Sequence, residues 1–309
     1  MPIANKISDI FNVDGLVAVI TGGGSGLGLF AARALDANGA QAVYIVGRRE
    51  QILKSAAATA VNGNIIPIVG DVSDKESLKK IAERVRQEQG YVNLVFANAG
   101  GSGVNHASAV TNPDGTRKKP SITELQQKLF APEMSDFTNA LHMHNTAVFY
   151  TAVAFLDLLD AGNKRRNVPQ DSQILVTGSI SGLSRHLTSS FSYSTSKAAV
   201  THLVKMLSTF LGTHGFRIRA NLIVPGLYPS EMTAGHTDRM KPFGGVRGHD
   251  SAYEGACVIN GAKTPAERTG SEEDFAGAVL FMTSRAGGYL NGEALVTDGG
   301  RLSQLPSTY

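Results

Sequence analysis

The chain has 309 residues, 42% of them hydrophobic, and carries 29 basic against 26 acidic side chains for a formal net charge of +3. This is enough apolar material for one large core, and so small and dispersed a charge excludes a nucleic-acid-binding surface. The lone cysteine, Cys257, excludes an intrachain disulfide, and neither a membrane span of ~18 apolar residues nor a secretion signal is read in the sequence, so a cytoplasmic protein without a membrane partner is expected.

In chain order, LVAVI at 16–20 has the pattern of a short buried strand and runs into TGGGSGLG at 21–28. FAARALDANGA follows as a helix with Gly39 near its C-terminal end. AVYIV at 42–46 is a second strand, followed by GRRE and the helix QILKSAAATAV. IIPIV at 65–69 is a third, ending in GDVSD, where Ser73 and Glu76 have capping-box spacing for the helix SLKKIAERVRQ. NLVFA at 93–97 leads into NAGG. Residues 101–135 form a polar insertion, a long loop with a helix from about 121.

TAVFYTAVAFLDLL, from Thr146 to Leu159, is a helix apolar round most of its circumference. ILVTG at 174–178 and ANLIV at 220–224 are further strands, and ALVTDGG at 294–300 holds the last. Residues 227–268, rich in Gly, His and charge, read as a partly helical substrate lid. The basic runs RKK at 117–119 and KRR at 164–166 are expected in solvated loops.

Strands alternating with helices predict an α/β protein: a Rossmann-type, doubly wound parallel sheet in a single domain over 1–309. Such sheets bind ligands at the carboxyl ends of their strands, where the strand order switches. Those ends carry TGGGSGLG, GRR, GDV, NAG, TGSIS and VPGLYPS. In the first, Gly22, Gly26 and Gly28 have the spacing G-x-x-x-G-x-G. A glycine turn between a first strand and its helix lets backbone N–H groups approach a pyrophosphate. The alternative is a merely tight turn.

At the second strand's end Gly47 is followed by Arg48 and Arg49, with no carboxylate to repel a 2′-phosphate. A guanidinium there clamps such a phosphate, which favours NADP(H) over NAD(H). The alternative is a surface arginine pair.

The segment SFSYSTSKAAV at 190–200 sets Tyr193 and Lys197 four residues apart, on one helix face. An ammonium beside a phenol lowers the phenol's pKa, and a phenol so tuned exchanges a proton near neutral pH.

With these motifs in order, the sequence resembles the short-chain dehydrogenase/reductase family over roughly residues 14–301. The resemblance rests on TGGGSGLG, NAG at 98–100, Asn145 in HNTAVF, Ser179 in TGSISG, YSTSK at 193–197, VPG at 224–226 and DGG at 298–300. The insertions look like those of fungal members that tailor secondary metabolites. The resemblance implies Tyr193 as proton donor to a carbonyl and Lys197 as the residue that lowers its pKa and binds the nicotinamide ribose. It implies Ser179 as the hydroxyl that steadies the substrate oxygen and Asn145 as the holder of a relay water.

For the cofactor it implies the turn Gly22, Ser25, Gly26, Leu27 and Gly28, the adenine contacts Asp71 and Val72, and the lining residues Asn98 and Gly100. Pro225, Gly226 and Ser230 fall to the nicotinamide carboxamide. Aligning Gly182 with the family's glycine selects Ser179 over Ser181, although the interval to Tyr193 is then one residue longer than usual. The family also implies a homodimer or homotetramer.

HMH at 142–144 offers no third metal ligand nearby, so structural histidines and no metal are expected. His186 either faces the substrate or sits on an exposed loop, and Cys257 reads as a buried or lid thiol. Leu183, Leu187, Phe191, Tyr228, Phe243 and Tyr253 suggest a fairly bulky, partly apolar substrate. A carbonyl–alcohol oxidoreductase is the leading expectation. A non-redox lyase, epimerase or cyclase, or a dinucleotide-binding sensor, on the same fold is the alternative.

Overall fold

The computed structural model describes residues 5–104, 111, 112, 114, 116, 118–244 and 253–308. A short helix, α1 (Ile7–Ile10), precedes β1 (Val17–Thr21), α2 (Gly26–Ala37), β2 (Ala42–Gly47), α3 (Glu50–Ala57), β3 (Ile65–Val69), α4 (Lys75–Glu88) and β4 (Leu94–Ala97). Then come α5 (Ile122–Phe130), α6 (Met134–Leu141), a π-helical turn (His142–Thr146), α7 (Ala147–Ala154), α8 (Leu156–Arg165) and β5 (Gln173–Thr177). The chain closes with α9 (Phe191–Thr213), β6 (Arg219–Pro225), α10 (Ala234–Thr237), α11 (Glu272–Thr283) and β7 (Ala294–Thr297).

All the expected strands are present, in one 7-stranded sheet of order β3-β2-β1-β4-β5-β6-β7. Every pairing is parallel. Side chains alternate across β1. Val17 and Val19 join Val95, Phe155, Leu158 and Val204 on one face. Ala18 and Ile20 join Ile45, Leu53, Phe275 and Val279 on the other. Helices cover both faces, so the strands are apolar throughout rather than alternating. Pro67, opposite Ile45, is tolerated because β3 is an edge strand. The strand order reverses between β1 and β4, and this opens the crevice at their carboxyl ends.

Three local expectations are corrected. Helix α4 is capped by Asp74, which accepts from the Ser77 N–H; Ser73 instead donates to Asp71 and forms no box with Glu76. The run KRR closes α8 rather than lying in a loop: Lys164 pairs with Asp160, and Arg166 is the left-handed C-cap. Positive charge is favourable at that end of a helix dipole. The segment 146–159 is not one helix. It breaks at Phe155, which leaves helical geometry (φ −114°, ψ 8°) with its side chain fully buried.

Candidate active site

A cleft of about 540 Å³ opens where β1, β2, β4, β5 and β6 end. That lies within the ~300–1,000 Å³ range of small-molecule sites. Its floor at one end is the glycine turn after β1. Gly22 has φ +65°, and a Cβ there would come within 2.9 Å of the Ala99 Cα. At Gly28 a Cβ would stand 2.3 Å from the Gly22 carbonyl oxygen, so the first turn of α2 closes on β1 only with glycine. This cradle suits the diphosphate of a nicotinamide dinucleotide, with the N-terminus of α2 supplying donors.

Gly22, Ser25, Gly26, Leu27, Arg48, Asp71, Val72, Asn98, Gly100, Ser179, Tyr193, Lys197, Pro225, Gly226 and Ser230 all line the cleft. The structure thus gathers residues spread over more than 200 positions of sequence. Gly28 and Asn145 stand behind the wall. Asn145 donates to the Ser196 carbonyl oxygen at 3.1 Å.

Asn98 stitches three strand ends together. Its Nδ2 donates to the carbonyls of Thr21 and Gly22, and its Oδ1 accepts from the Thr177 hydroxyl at 2.8 Å. Thr21, which the sequence reading missed, accepts from the N–H groups of Asn98 and Ala99. Asp71 accepts from both the hydroxyl and the N–H of Ser73, which holds its carboxyl below the usual range, with Arg48 assisting.

Ser190 caps α9 by accepting from the Tyr193 N–H at 2.9 Å, so Tyr193 rides on the helix's first turn. Lys197 is buried one turn on, and its Nζ donates to the Thr177 carbonyl oxygen at 2.8 Å. Burial pulls its pKa from 10.5 down to about 8. Its Nζ lies 5.8 Å from the centre of the Tyr193 ring. Burial raises the phenol's pKa, and a hydrogen bond with the Ser179 side chain draws it partly back. In the protein alone desolvation outweighs any lowering of the phenol by Lys197, and one of the three ammonium donors is held by Thr177.

The two serines separate. Ser179 lines the cleft, whereas the Ser181 hydroxyl bonds with Thr188 at 3.1 Å. Gly182 seats this loop on α9, since a Cβ there would lie 2.6 Å from the Lys197 carbonyl carbon.

In the segment expected to form a lid, Tyr228 lines the cleft but packs edge-on against Phe275. Phe243 packs on Tyr253, whose ring lies 3.6 Å from the Arg268 guanidinium. Of the six apolar side chains expected to shape the substrate site, only Tyr228 lines the cleft. The pocket segments 105–110 and 245–252 lie outside the described residues, as does Arg117 of the RKK run. His186 is exposed, and Cys257 is partly exposed.

Two features had no local signal in the sequence. Glu231, in the segment after β6, accepts from Ser25 and pairs with Arg49 at 2.6 Å, so a carboxylate does reach the end of β2, from far along the chain. The C-terminal tail pairs with the loop between Ser179 and Tyr193 through Arg185 N–H to Pro306 O and Thr308 N–H to Leu183 O. No described helix is long and apolar enough to cross a membrane.

Residues 16–241 match the family model for short chain dehydrogenase. The chain is 44% identical to the short-chain dehydrogenase/reductase PhomF of Diaporthe leptostromiformis, over 98% of this chain and 96% of that protein. It is 35% identical to VdtF of Byssochlamys spectabilis, likewise a short-chain dehydrogenase/reductase, over 98% and 97% of the two chains. The Pseudomonas aeruginosa RhlG/NADP complex superposes with a TM-score of 0.72 at 22% identity, over 95% of this chain and 98% of that one, which speaks for the fold. A cradle for a dinucleotide, a tyrosine and a lysine one turn apart at its far end, and relatives matched over nearly their whole length make this chain a member of the short-chain dehydrogenase/reductase family of oxidoreductases.

Proposed function

We propose that the chain is an NADP(H)-dependent oxidoreductase that interconverts a carbonyl and an alcohol on a fairly bulky, partly apolar small molecule. The observation that carries this reading is the meeting of Ser179, Tyr193 and Lys197 at one end of a cleft whose other end is the glycine cradle. When bound, the cofactor supplies or accepts the hydride.

The protein's part is the proton. In reduction the Tyr193 hydroxyl gives its proton to the substrate oxygen as the C–H bond forms, and in oxidation the phenolate takes it back. The phenol is in its protonated form at neutral pH, as a proton donor to a carbonyl must be. Ser179 donates to the same oxygen and stabilises the charge that develops on it. Lys197, anchored on Thr177, orients the nicotinamide end of the cofactor and keeps a positive charge behind the phenol.

Preference for the phosphorylated cofactor is supported by Arg48, which lines the cleft directly after Gly47 at the end of β2, while the nearby acid Glu50 is paired with Lys54. Support for a bulky substrate comes from relatives: versicolorin reductase of Emericella nidulans is 28% identical over 95% of this chain. A fold neighbour is a 7α-hydroxysteroid dehydrogenase solved with 7-oxo glycochenodeoxycholic acid, at a TM-score of 0.72.

NADPH oxidation followed by absorbance against a panel of polycyclic and aliphatic ketones tests the reading. One NADPH is expected to disappear per alcohol formed. Tyr193→Phe is expected to keep its cofactor affinity and lose about 10²–10⁴ in turnover. Product formation without NADPH consumption would move the assignment to non-redox chemistry.

A further inference from the structure

His144 lies on the π-helical turn His142–Thr146 and is buried. Its Nδ1 is 2.8 Å from the Ser196 hydroxyl, which itself donates to the Tyr193 carbonyl oxygen at 2.8 Å. The hydroxyl has one hydrogen and spends it on Tyr193, so Nδ1 carries the proton and donates to Ser196. Nε2 is then an acceptor, and it receives the Gly101 N–H at 3.2 Å. Burial, aided by the nearby Lys197 charge, pulls the imidazole down to about 3, so the ring is neutral and its two nitrogens keep these opposite roles.

The ring also meets the Tyr193 ring edge-on, with centroids 5.4 Å apart at 88°. Gly100 makes this approach possible, because a Cβ there would stand 3.1 Å from Nε2. The neighbouring Asn145 holds the Ser196 carbonyl from the same turn. A π turn inside a helix often marks a functional site. Here it lets two successive residues grip the same residue of α9.

We propose that His144 is a positioning residue that sets the Tyr193 phenol against the cofactor-lining loop 98–101 through two separable hydrogen bonds. The Nδ1 bond fixes the turn of α9 that carries Tyr193 and Lys197. The Nε2 bond fixes the Gly100–Gly101 backbone, which lines the cleft. The proposal rests on the oxidoreductase reading above for its kinetic half only.

Two near-isosteres divide the bonds. Asparagine reaches to about the Nδ1 position and keeps a donor for Ser196. Glutamine reaches to about Nε2 and keeps an acceptor for Gly101. His144→Asn is expected to raise the NADPH Kd by about 3–10-fold and to lower kcat by less than His144→Gln does. His144→Gln is expected to lower kcat by about 3–10-fold with Kd near the parental value, and His144→Leu to lose on both measures.

Calorimetric titration with NADPH and steady-state turnover of a ketone found in the panel are the readouts. Equal losses of both quantities in the Asn and Gln variants, as from a general loosening, or no loss in either, would overturn the proposal. Should the parent reduce no ketone, the functional reading fails, and the Kd contrast between the two variants still decides whether the Gly101 bond serves the cofactor.

Discussion

Replacing Lys197 with methionine should make the protein more stable at neutral pH while abolishing turnover. The side chain is 5% exposed, and its pKa falls from 10.5 to about 8 because burial disfavours the ammonium. At ~1.4 kcal/mol per decade, that is about 3 kcal/mol held against the folded state below pH 8. Methionine has similar length and no charge to desolvate. It does forfeit the bond to the Thr177 carbonyl, which costs about 1–3 kcal/mol. The variant is thus expected to be up to about 2 kcal/mol more stable at pH 7.

The sign reverses in alkali. Between pH 8 and 10.5 the unfolded chain keeps the lysine proton and the folded chain does not, so the parent gains stability as pH rises. The variant has no such proton. Its advantage should shrink by about 3 kcal/mol over that window, leaving the parent the more stable at pH 10.5. Urea unfolding of both proteins by circular dichroism at pH 7 and pH 10.5, without cofactor, measures the gap. A gap that does not change with pH would refute the claim that Lys197 pays a desolvation cost in the folded state.

Arg48→Ala should weaken NADPH binding by ~1.5–3 kcal/mol and leave NADH unchanged, as read by titration with each cofactor. Ser179→Ala should lower kcat by about 10²–10³, as for loss of an oxyanion donor, while Ser181→Ala, which loses only its bond to Thr188, should stay within about threefold. Light scattering at micromolar concentration should give a homodimer or homotetramer. Phe149, Tyr150 and Val153 on α7 are 39%, 38% and 41% exposed, and Met206 and Phe210 on α9 are 57% and 59% exposed. Apolar faces of that kind call for cover, and a stable monomer would refute the assembly.

The sheet was legible because its central strands are buried on both faces. Runs such as Val17–Thr21 and Arg219–Pro225 are buried at every position, so β-branched and aliphatic residues announce them without help from neighbours. The glycine turn and the Tyr193–Lys197 pair were legible for a related reason: each lies within one loop or one helical turn. Helix starts were less so, since Ser73 and Asp74 are both good caps, and in the structure Ser73 is taken by Asp71 while Asp74 accepts from Ser77. The phenol's raised pKa was hidden because it depends on what surrounds Tyr193, not on the lysine four residues away. His144 was read as structural on the absence of further ligands. Its bonds to Gly101 and Ser196 join residues 43 and 52 positions away.

The arginine pair after β2 shows how a local rule changes once the chain is folded. Sequence alone offers two equivalent guanidinium groups directly after Gly47, with the first acid, Glu50, behind them. In the structure Glu231, from the segment after β6, reaches Arg49, and their side chains stay 56–60% exposed. An exposed pair of this kind contributes only about 0–1 kcal/mol, so it yields readily to a competing anion. It nevertheless lowers the net positive charge that Arg49 presents to one. Among the described residues no carboxylate pairs with Arg48; it lies near Asp71, whose carboxyl Ser73 already holds. On the proposed reading, discrimination for a 2′-phosphate therefore falls mainly on Arg48. Arg48→Ala should erase it, whereas Arg49→Ala should leave most of it intact, and equal losses in the two variants would show that Glu231 does not divide the pair.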